Sequence, residues 1–337
     1  VDRVELIETY EGMVDALARE LDATRAGDSV RLSFYLLEPG RSSERVLEAA
    51  GAAAARGASV ELSVDATIAS RLSRLVERTG TLMPRARALA EAFPTFRAVE
   101  RVRTMDHAKY AVFSRAERPL VLVGGMNLGD RFAAWRDYSV VAEGAEVVRA
   151  LERAVSGEAA AARETPVDFV ANVPRARWDI LPAFEALARD PRLVRYRVAM
   201  AYLDRAGARV LRLALDRGAS VELVLPARAN VYQHSNLRTL SELLRSGRDV
   251  RAWLSRPMLH AKGLLAWDRD GPSVAFLGSA NLKRNSFHLF GELNAIVREP
   301  GFLSSFASAL DVLLANSDPV ATLSWSGLRA AFEERLG

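Results

Sequence analysis

A chain of 337 residues exceeds what one hydrophobic core usually serves, so two domains or two fused halves are expected. Half of the residues are hydrophobic and 26% are charged, an ordinary globular balance, and the absence of cysteine excludes disulfides, thiolate catalysis and Cys-based zinc or iron–sulfur sites. With 46 basic against 42 acidic residues the net charge is +4, a mild bias toward anionic partners such as phospholipid headgroups or nucleic acid.

Val1-Asp2-Arg3 leads into an amphipathic segment rather than a signal peptide, and the sequence begins without Met, which leaves upstream residues open. Leu6, Ile7, Tyr10, Met13 and Val14 have helical spacing and read as a core face, with a membrane-surface helix as the rival reading. Residues 30–37 alternate as a strand (Val30, Leu32, Phe34, Leu36), 43–56 form a helix ended by Gly57, and 59–64 form a second strand. The alanine-rich stretches near 49–56 and 159–162 are flanked by Arg and Glu and read as soluble helices. Shorter strands follow at 108–114, 119–124 and 137–142. Pro166 and Pro174 interrupt the pattern after a long helix, which sets a boundary near 163–177 and divides the chain into 1–165 and 166–337. The second half repeats the order: strand 193–203, helix 205–217, strand 220–225, then strands 260–267, 273–278 and 291–298. No uninterrupted apolar run approaches the ~18–20 residues that span a bilayer.

The residues repeat as well as the elements. Arg56-Gly57-Ala58-Ser59-Val60-Glu61-Leu62 recurs as Arg217-Gly218-Ala219-Ser220-Val221-Glu222-Leu223, an offset of 218 − 57 = 161. His107-Ala108-Lys109 recurs as His260-Ala261-Lys262 (260 − 107 = 153), and Gly124-Gly125-Met126-Asn127-Leu128 as Gly278-Ser279-Ala280-Asn281-Leu282 (281 − 127 = 154). Three matches in one order and nearly one register indicate duplication. The expected fold is α/β: two similar halves related by pseudo-twofold symmetry, each a mixed, largely parallel sheet flanked by helices.

Each His-x-Lys opens an apolar strand. Side chains i and i+2 of a strand face the same way, so His107 projects with Lys109 and His260 with Lys262. Near the end of the next strand each half offers glycine for close backbone approach, with Asn127 and Asn281 as amides, Gly125 in one copy and the hydroxyl of Ser279 in the other. Two imidazoles, two ammonium groups and two amides suit a phosphodiester. One neutral His attacks phosphorus, the other protonates the leaving oxygen, and the Lys and Asn side chains hold the non-bridging oxygens. No cofactor and no metal are required by this set, and the four histidines (107, 234, 260, 288) are too scattered for an obvious metal cage. His234 reads as a loop residue and His288 as structural. Asp137 and Glu292 follow their histidines by 137 − 107 = 30 and 292 − 260 = 32 residues and are candidates to orient the imidazoles.

These residues resemble the phospholipase D superfamily, whose pattern is His-x-Lys-x4-Asp followed by Gly-Gly/Ser-x-Asn, carried twice. The narrower likeness is to bacterial cardiolipin synthases, through Gly124–Asp130 with Trp135-Arg136-Asp137, Met258–Lys262, the strand ending at Asp65, and Gly278–Leu282 with Asn285-Ser286-Phe287 and Glu292-Leu293-Asn294. The motif Asp is missing: Ser114 and Trp267 stand in its place, an odd number of positions from each His and hence expected to point away, with Asp268 as a partial substitute. The resemblance implies a phosphohistidine intermediate on His107, with His260 as acid and then base. It implies a phosphatidyltransferase, with phosphatidylglycerol converted to cardiolipin plus glycerol, and as alternatives a phosphodiester hydrolase (phospholipase D or endonuclease) or a binding protein with a dead site. The implied partners are a phosphatidylglycerol-like lipid and peripheral contact with an anionic membrane, in the cytoplasm or at the bacterial membrane; nucleic acid is not expected.

Overall fold

A computed structural model describes residues 3–103, 105–158, 165–320 and 322–336; the alanine-rich stretch at 159–162 lies outside them. The first half runs β1 (Arg3–Ile7), α1 (Tyr10–Asp22), β2 (Ser29–Phe34), α2 (Arg41–Ala55), β3 (Ser59–Asp65), α3 (Ile68–Glu77), α4 (Met83–Ala92), β4 (Phe96–Arg101), β5 (Tyr110–Ser114), β6 (Leu120–Gly124), β7 (Ser139–Glu143) and α5 (Ala145–Ser156). The second continues with β8 (Val167–Val173), β9 (Arg177–Trp178), α6 (Ile180–Arg189), β10 (Arg195–Met200), α7 (Arg205–Leu215), β11 (Ser220–Pro226), α8 (Gln233–Leu244) and β12 (Val250–Ser255). It ends with β13 (Lys262–Trp267), β14 (Pro272–Gly278), α9 (Arg284–His288), β15 (Glu292–Val297), α10 (Pro300–Ala315), β16 (Ser317–Pro319) and α11 (Gly327–Leu336).

Local chemistry accounts for these elements. Helix α1 is started by Thr9, whose hydroxyl accepts from the Gly12 N–H at 3.0 Å, and it buries Tyr10, Met13, Val14, Leu17 and Leu21 on one stripe. The helical spacing near the N-terminus is therefore a core face, and Leu6 and Ile7 belong to β1 rather than to the helix. Residues 167–173 do not form a linker: chain leaving Pro166 enters a strand of the second sheet at once.

Two mixed sheets result, with strand orders β1-β7-β6-β5-β2-β3-β4 and β16-β12-β11-β10-β13-β14-β15-β8-β9. Read from β8 to β12, the second sheet repeats the first strand for strand, and β9 and β16 extend its edges. Parallel pairing is confined to β2–β3–β4 and β10–β11–β12; the other pairs are antiparallel. The sheets are thus α/β and mixed but less parallel than expected. Helical crossovers join neighbouring strands only within β2–β4 and β10–β12, whereas β5–β6 and β13–β14 turn back through short loops, which force antiparallel neighbours.

The two sheets face each other. Tyr110, Val112 and Val123 from the first share one hydrophobic cluster with Leu265, Leu277 and Leu293 from the second. Helices α1 and α2 cover the outer face of one sheet, and α6, α7 and α8 that of the other. Burying each such side chain contributes about 1.5–3 kcal/mol, so the halves are joined by a core and not by a surface contact.

Candidate active site

Strands β5 and β13 occupy the centres of their sheets, and each His-x-Lys segment lies at the entrance to one of them. Alternation places Ala108 and Ala261 in the core between the sheets and sends His107, Lys109, His260 and Lys262 the other way.

The two entrances are pinned crosswise. The His107 N–H donates to the Gly291 carbonyl at 2.7 Å, and the Gly291 N–H to the Met105 carbonyl at 2.8 Å. In the other half the His260 N–H donates to the Arg136 carbonyl at 2.8 Å, and the Arg136 N–H to the Met258 carbonyl at 2.8 Å. Each segment that precedes a carboxylate is therefore zipped to the histidine segment of the opposite half. Glu292 meets His107 (Nδ1 to Oε2, 3.1 Å), and Asp137 meets His260 (Nδ1 to Oδ2, 2.8 Å). The sequence spacing had grouped each carboxylate with the histidine of its own half; the structure exchanges them.

Gly125 and Ser279, expected at the phosphate, serve these carboxylates instead. A Cβ on Gly125 would lie 2.6 Å from Oδ2 of Asp137, so only glycine leaves that carboxylate room to reach His260. Ser279 is fully buried; its hydroxyl donates to Oε2 of Glu292 at 2.5 Å and accepts from the Leu293 N–H at 3.0 Å. The other oxygen of Glu292, Oε1, is buried with no hydrogen-bond partner among the described residues.

One cavity of about 410 Å³ receives both histidines together with Asn127 and Asn281. The two amides are held alike: Oδ1 of Asn127 accepts from the Leu36 N–H at 2.9 Å, and Oδ1 of Asn281 from the Tyr202 N–H at 3.2 Å. With the oxygens so engaged, the NH2 groups remain as donors for a ligand. Lys109 and Lys262 lie behind the imidazoles. Each ammonium donates to the backbone carbonyl of its own histidine, and Lys262 Nζ also sits 2.9 Å from Nδ1 and 3.1 Å from Nε2 of His260.

Burial dominates the electrostatics. It lowers the pKa of His107, reinforced by the Lys109 charge and opposed by Glu292, and it holds His260 well below the usual imidazole range, reinforced by Lys262 and Lys109. Burial likewise pulls Lys109 down to about 7 and Lys262 to about 8, and pushes Asp137 up to about 6. Both imidazoles are thus neutral near pH 7. With its proton on Nδ1, facing the carboxylate, His107 turns the lone pair of Nε2 to the cavity.

Other residues of the wall escaped the sequence reading, among them Tyr35, Arg131, Tyr202, Tyr232 and Lys283, while Trp135 had entered it only through the family resemblance. Tyr35 packs edge-on to His107 with ring centroids 4.9 Å apart, and Trp135 lies 5.0 Å from His260. The repeat held one usable signal, because Leu36-Leu37-Glu38 and Tyr202-Leu203-Asp204 are equivalent: Leu37 bridges to Leu128 as Leu203 bridges to Leu282. Asp65 accepts from the Asp106 N–H at 2.9 Å and so steadies the approach to His107.

Ser114 and Trp267 end β5 and β13 away from the cavity, and Trp267 is covered by the Arg195 guanidinium, 4.6 Å from its ring. Asp268 does not replace a motif Asp; its carboxylate accepts from the Asp270 and Gly271 N–H groups of a turn. His234 accepts from the Ser326 N–H at 3.1 Å, and His288 is exposed at the end of α9. Among the described residues no group of three or more His, Cys, Asp or Glu could hold a metal ion.

Residues 194–314 match the family described as "Cardiolipin synthase, PLD-like domain". Cardiolipin synthase A of Pseudomonas fluorescens is 29% identical over 62% of this chain and 50% of its own length. The cardiolipin synthase of Listeria welshimeri is 22% identical over 91% of this chain and 68% of its own. The chain therefore spans about half the length of the first of these relatives. A phosphatidylserine synthase from Haemophilus influenzae, 12% identical, has the same fold, with a TM-score of 0.75 over 99% of this chain and 92% of that one. In sequence the chain is thus similar to cardiolipin synthases, and it carries the doubled His-x-Lys and Gly-x-x-Asn pattern through which it resembles the phospholipase D superfamily.

Proposed function

We propose that this protein is a phosphatidyltransferase that forms a phosphohistidine on His107 and passes the phosphatidyl group to an alcohol, with phosphatidylglycerol giving cardiolipin and glycerol. One observation carries the reading: two imidazoles from the two halves, His260 buried and His107 partly so, open on one cavity, each held by a carboxylate of the other half. It also supports treating 1–165 and 166–337 as duplicated halves, each incomplete without the other.

In this reading Nε2 of His107 attacks phosphorus, the P–N bond forms, and the bond from phosphorus to the departing glycerol oxygen breaks. His260 gives that oxygen a proton; the arriving phosphodiester anion raises the pKa of His260 and supplies the protonated form. The acceptor hydroxyl then returns a proton to His260 while its oxygen displaces His107 from phosphorus. Lys109, Lys262, Asn127 and Asn281 offset the charge on the non-bridging oxygens. Glu292 and Asp137 hold the rings and stabilise whichever becomes an imidazolium.

Contact with an anionic membrane is part of the proposal. No helix among the described residues is long and apolar enough to cross a membrane. Leu72 and Leu289 line the cavity and are more than half exposed, and Ile68 and Leu75 stand beside Leu72 on α3, so the mouth of the site carries apolar side chains toward solvent. The deciding experiment incubates the protein with phosphatidylglycerol, with and without added glycerol or ethanol, and identifies the products. Cardiolipin, or phosphatidylethanol when ethanol is present, is expected. Phosphatidic acid alone would make the protein a hydrolase, and no turnover would remove the phospholipid reading.

A further inference from the structure

We propose that Lys283 makes the cavity a filter for the headgroup beyond the reacting phosphate, accepting neutral polyols and anions and turning away headgroups with a fixed positive charge. The inference rests on the phospholipid reading above and names the class of headgroup it would take.

Lys283 lines the catalytic cavity yet is only 5% exposed, and no carboxylate among the described residues lies within ion-pair distance of it. The nearby Asp204 carboxylate is committed elsewhere: Oδ1 accepts from the Ala206 and Gly207 N–H groups that start α7, and Oδ2 from the Arg284 N–H. The opposite wall is different. Arg131 is held by Glu38 through two bonds of 2.7 and 2.8 Å and by Glu77 at 3.0 Å, so its charge is answered. Among the described residues Lys283 is thus a cavity-lining cation without an ion-pair partner, and the equivalent position in the first half (283 − 154 = 129) is Gly129.

Its place matters as much as its charge. Tyr202 and Tyr232 meet edge to face, with centroids 5.2 Å apart and planes at 71°. Aromatic walls of this kind hold quaternary ammonium groups by cation–π attraction. Here Nζ of Lys283 already lies 3.0 Å from the Tyr232 centroid and 5.9 Å from that of Tyr202. Tyr232 itself has φ 60°, a left-handed backbone conformation that bulky residues seldom adopt. Burial pulls the Lys283 amine down to about 7, and its charged and neutral forms both carry N–H donors for a hydroxyl or phosphate oxygen. The residue therefore occupies the ring face that a choline would need and offers bonds that choline cannot accept.

The test measures binding, independent of turnover, of two soluble diesters by calorimetry at pH 7: glycerophosphoglycerol and glycerophosphocholine. The intact chain should bind the first at least about tenfold more tightly. Lys283→Ala, which clears the ring face, should lose or reverse that preference, and Lys283→Met, which keeps the bulk and removes the donors, should weaken the polyol ligand alone. Equal binding by the unaltered chain, an unchanged preference in both variants, or no binding of either diester overturns the proposal. Discriminating binding without product from phosphatidylglycerol would leave the filter standing and remove the proposed function; product without discrimination would do the reverse.

Discussion

The two halves carry the same strand order, the same His-x-Lys entrance and the same amide hold on Asn127 and Asn281, yet they differ at the cavity wall. The first half presents Arg131 paired with Glu38 and Glu77; the second presents Lys283, stacked on Tyr232 with no ion-pair partner among the described residues. The histidines differ as well. Burial lowers the pKa of both, and that of His260 further. In the proposed reading, duplication supplies what a phosphate needs from both sides, and divergence at the rim sets what lies beyond the phosphate.

The largest effects test the division of labour between the histidines. Replacing His107 with Ala should cost roughly 10⁴–10⁶ in turnover, since a nucleophile has no substitute. Replacing His260 should cost roughly 10²–10⁴. A diester with a nitrophenol leaving group needs no acid for its departure, so it should restore the first step of His260→Ala and trap label on His107. Label that survives His107→Ala would reverse the assignment.

Next in size is the crosswise pairing. Glu292→Gln and Asp137→Asn should each lower turnover by about 10²–10⁴, the cost of misorienting an acid–base imidazole. The activated diester sorts them: Asp137→Asn should be rescued like His260→Ala, while Glu292→Gln should stay impaired like His107→Ala. Rescue in the opposite sense would sink the exchange between halves. Gly125→Ala, which drives a methyl into Asp137, should reproduce the Asp137 pattern in milder form, about 10–100-fold, with the fold retained.

The last effect is on stability rather than turnover. Lys109 has its pKa lowered from 10.5 to about 7, so between those values the unfolded chain binds a proton that the folded chain has lost, and stability rises with pH. Lys109→Met removes a buried cation and should stabilise the inactive protein, most at and below pH 7 and hardly at all near pH 10.5. The upper bound is roughly 5 kcal/mol, from 10.5 − 7 = 3.5 at about 1.36 kcal/mol each. Melting curves at pH 6 and pH 9 that shift equally would contradict the burial argument.

Much of this was legible in the residues. Apolar alternation and the offsets of 153 and 154 placed His107, Lys109, His260 and Lys262 on equivalent strands and set the α/β class with mixed sheets. Alternation also turned Ser114 and Trp267 away, as found. The excess of antiparallel pairs was missed because a short connection between two strands carries little signal of its own in composition. That Gly125 lies against Asp137 and Ser279 against Glu292 was not legible, because a glycine or serine near a phosphate and one beneath a carboxylate leave the same letter in the sequence.

By itself the sequence determined which groups exist and, through strand periodicity, which of them share a face, since that periodicity is local. Which carboxylate serves which histidine, and that Lys283 stands unanswered over Tyr232, was decided only when the sheets packed face to face. Those partners come from segments up to 185 residues apart, and distance along the chain says nothing about proximity across a shared core.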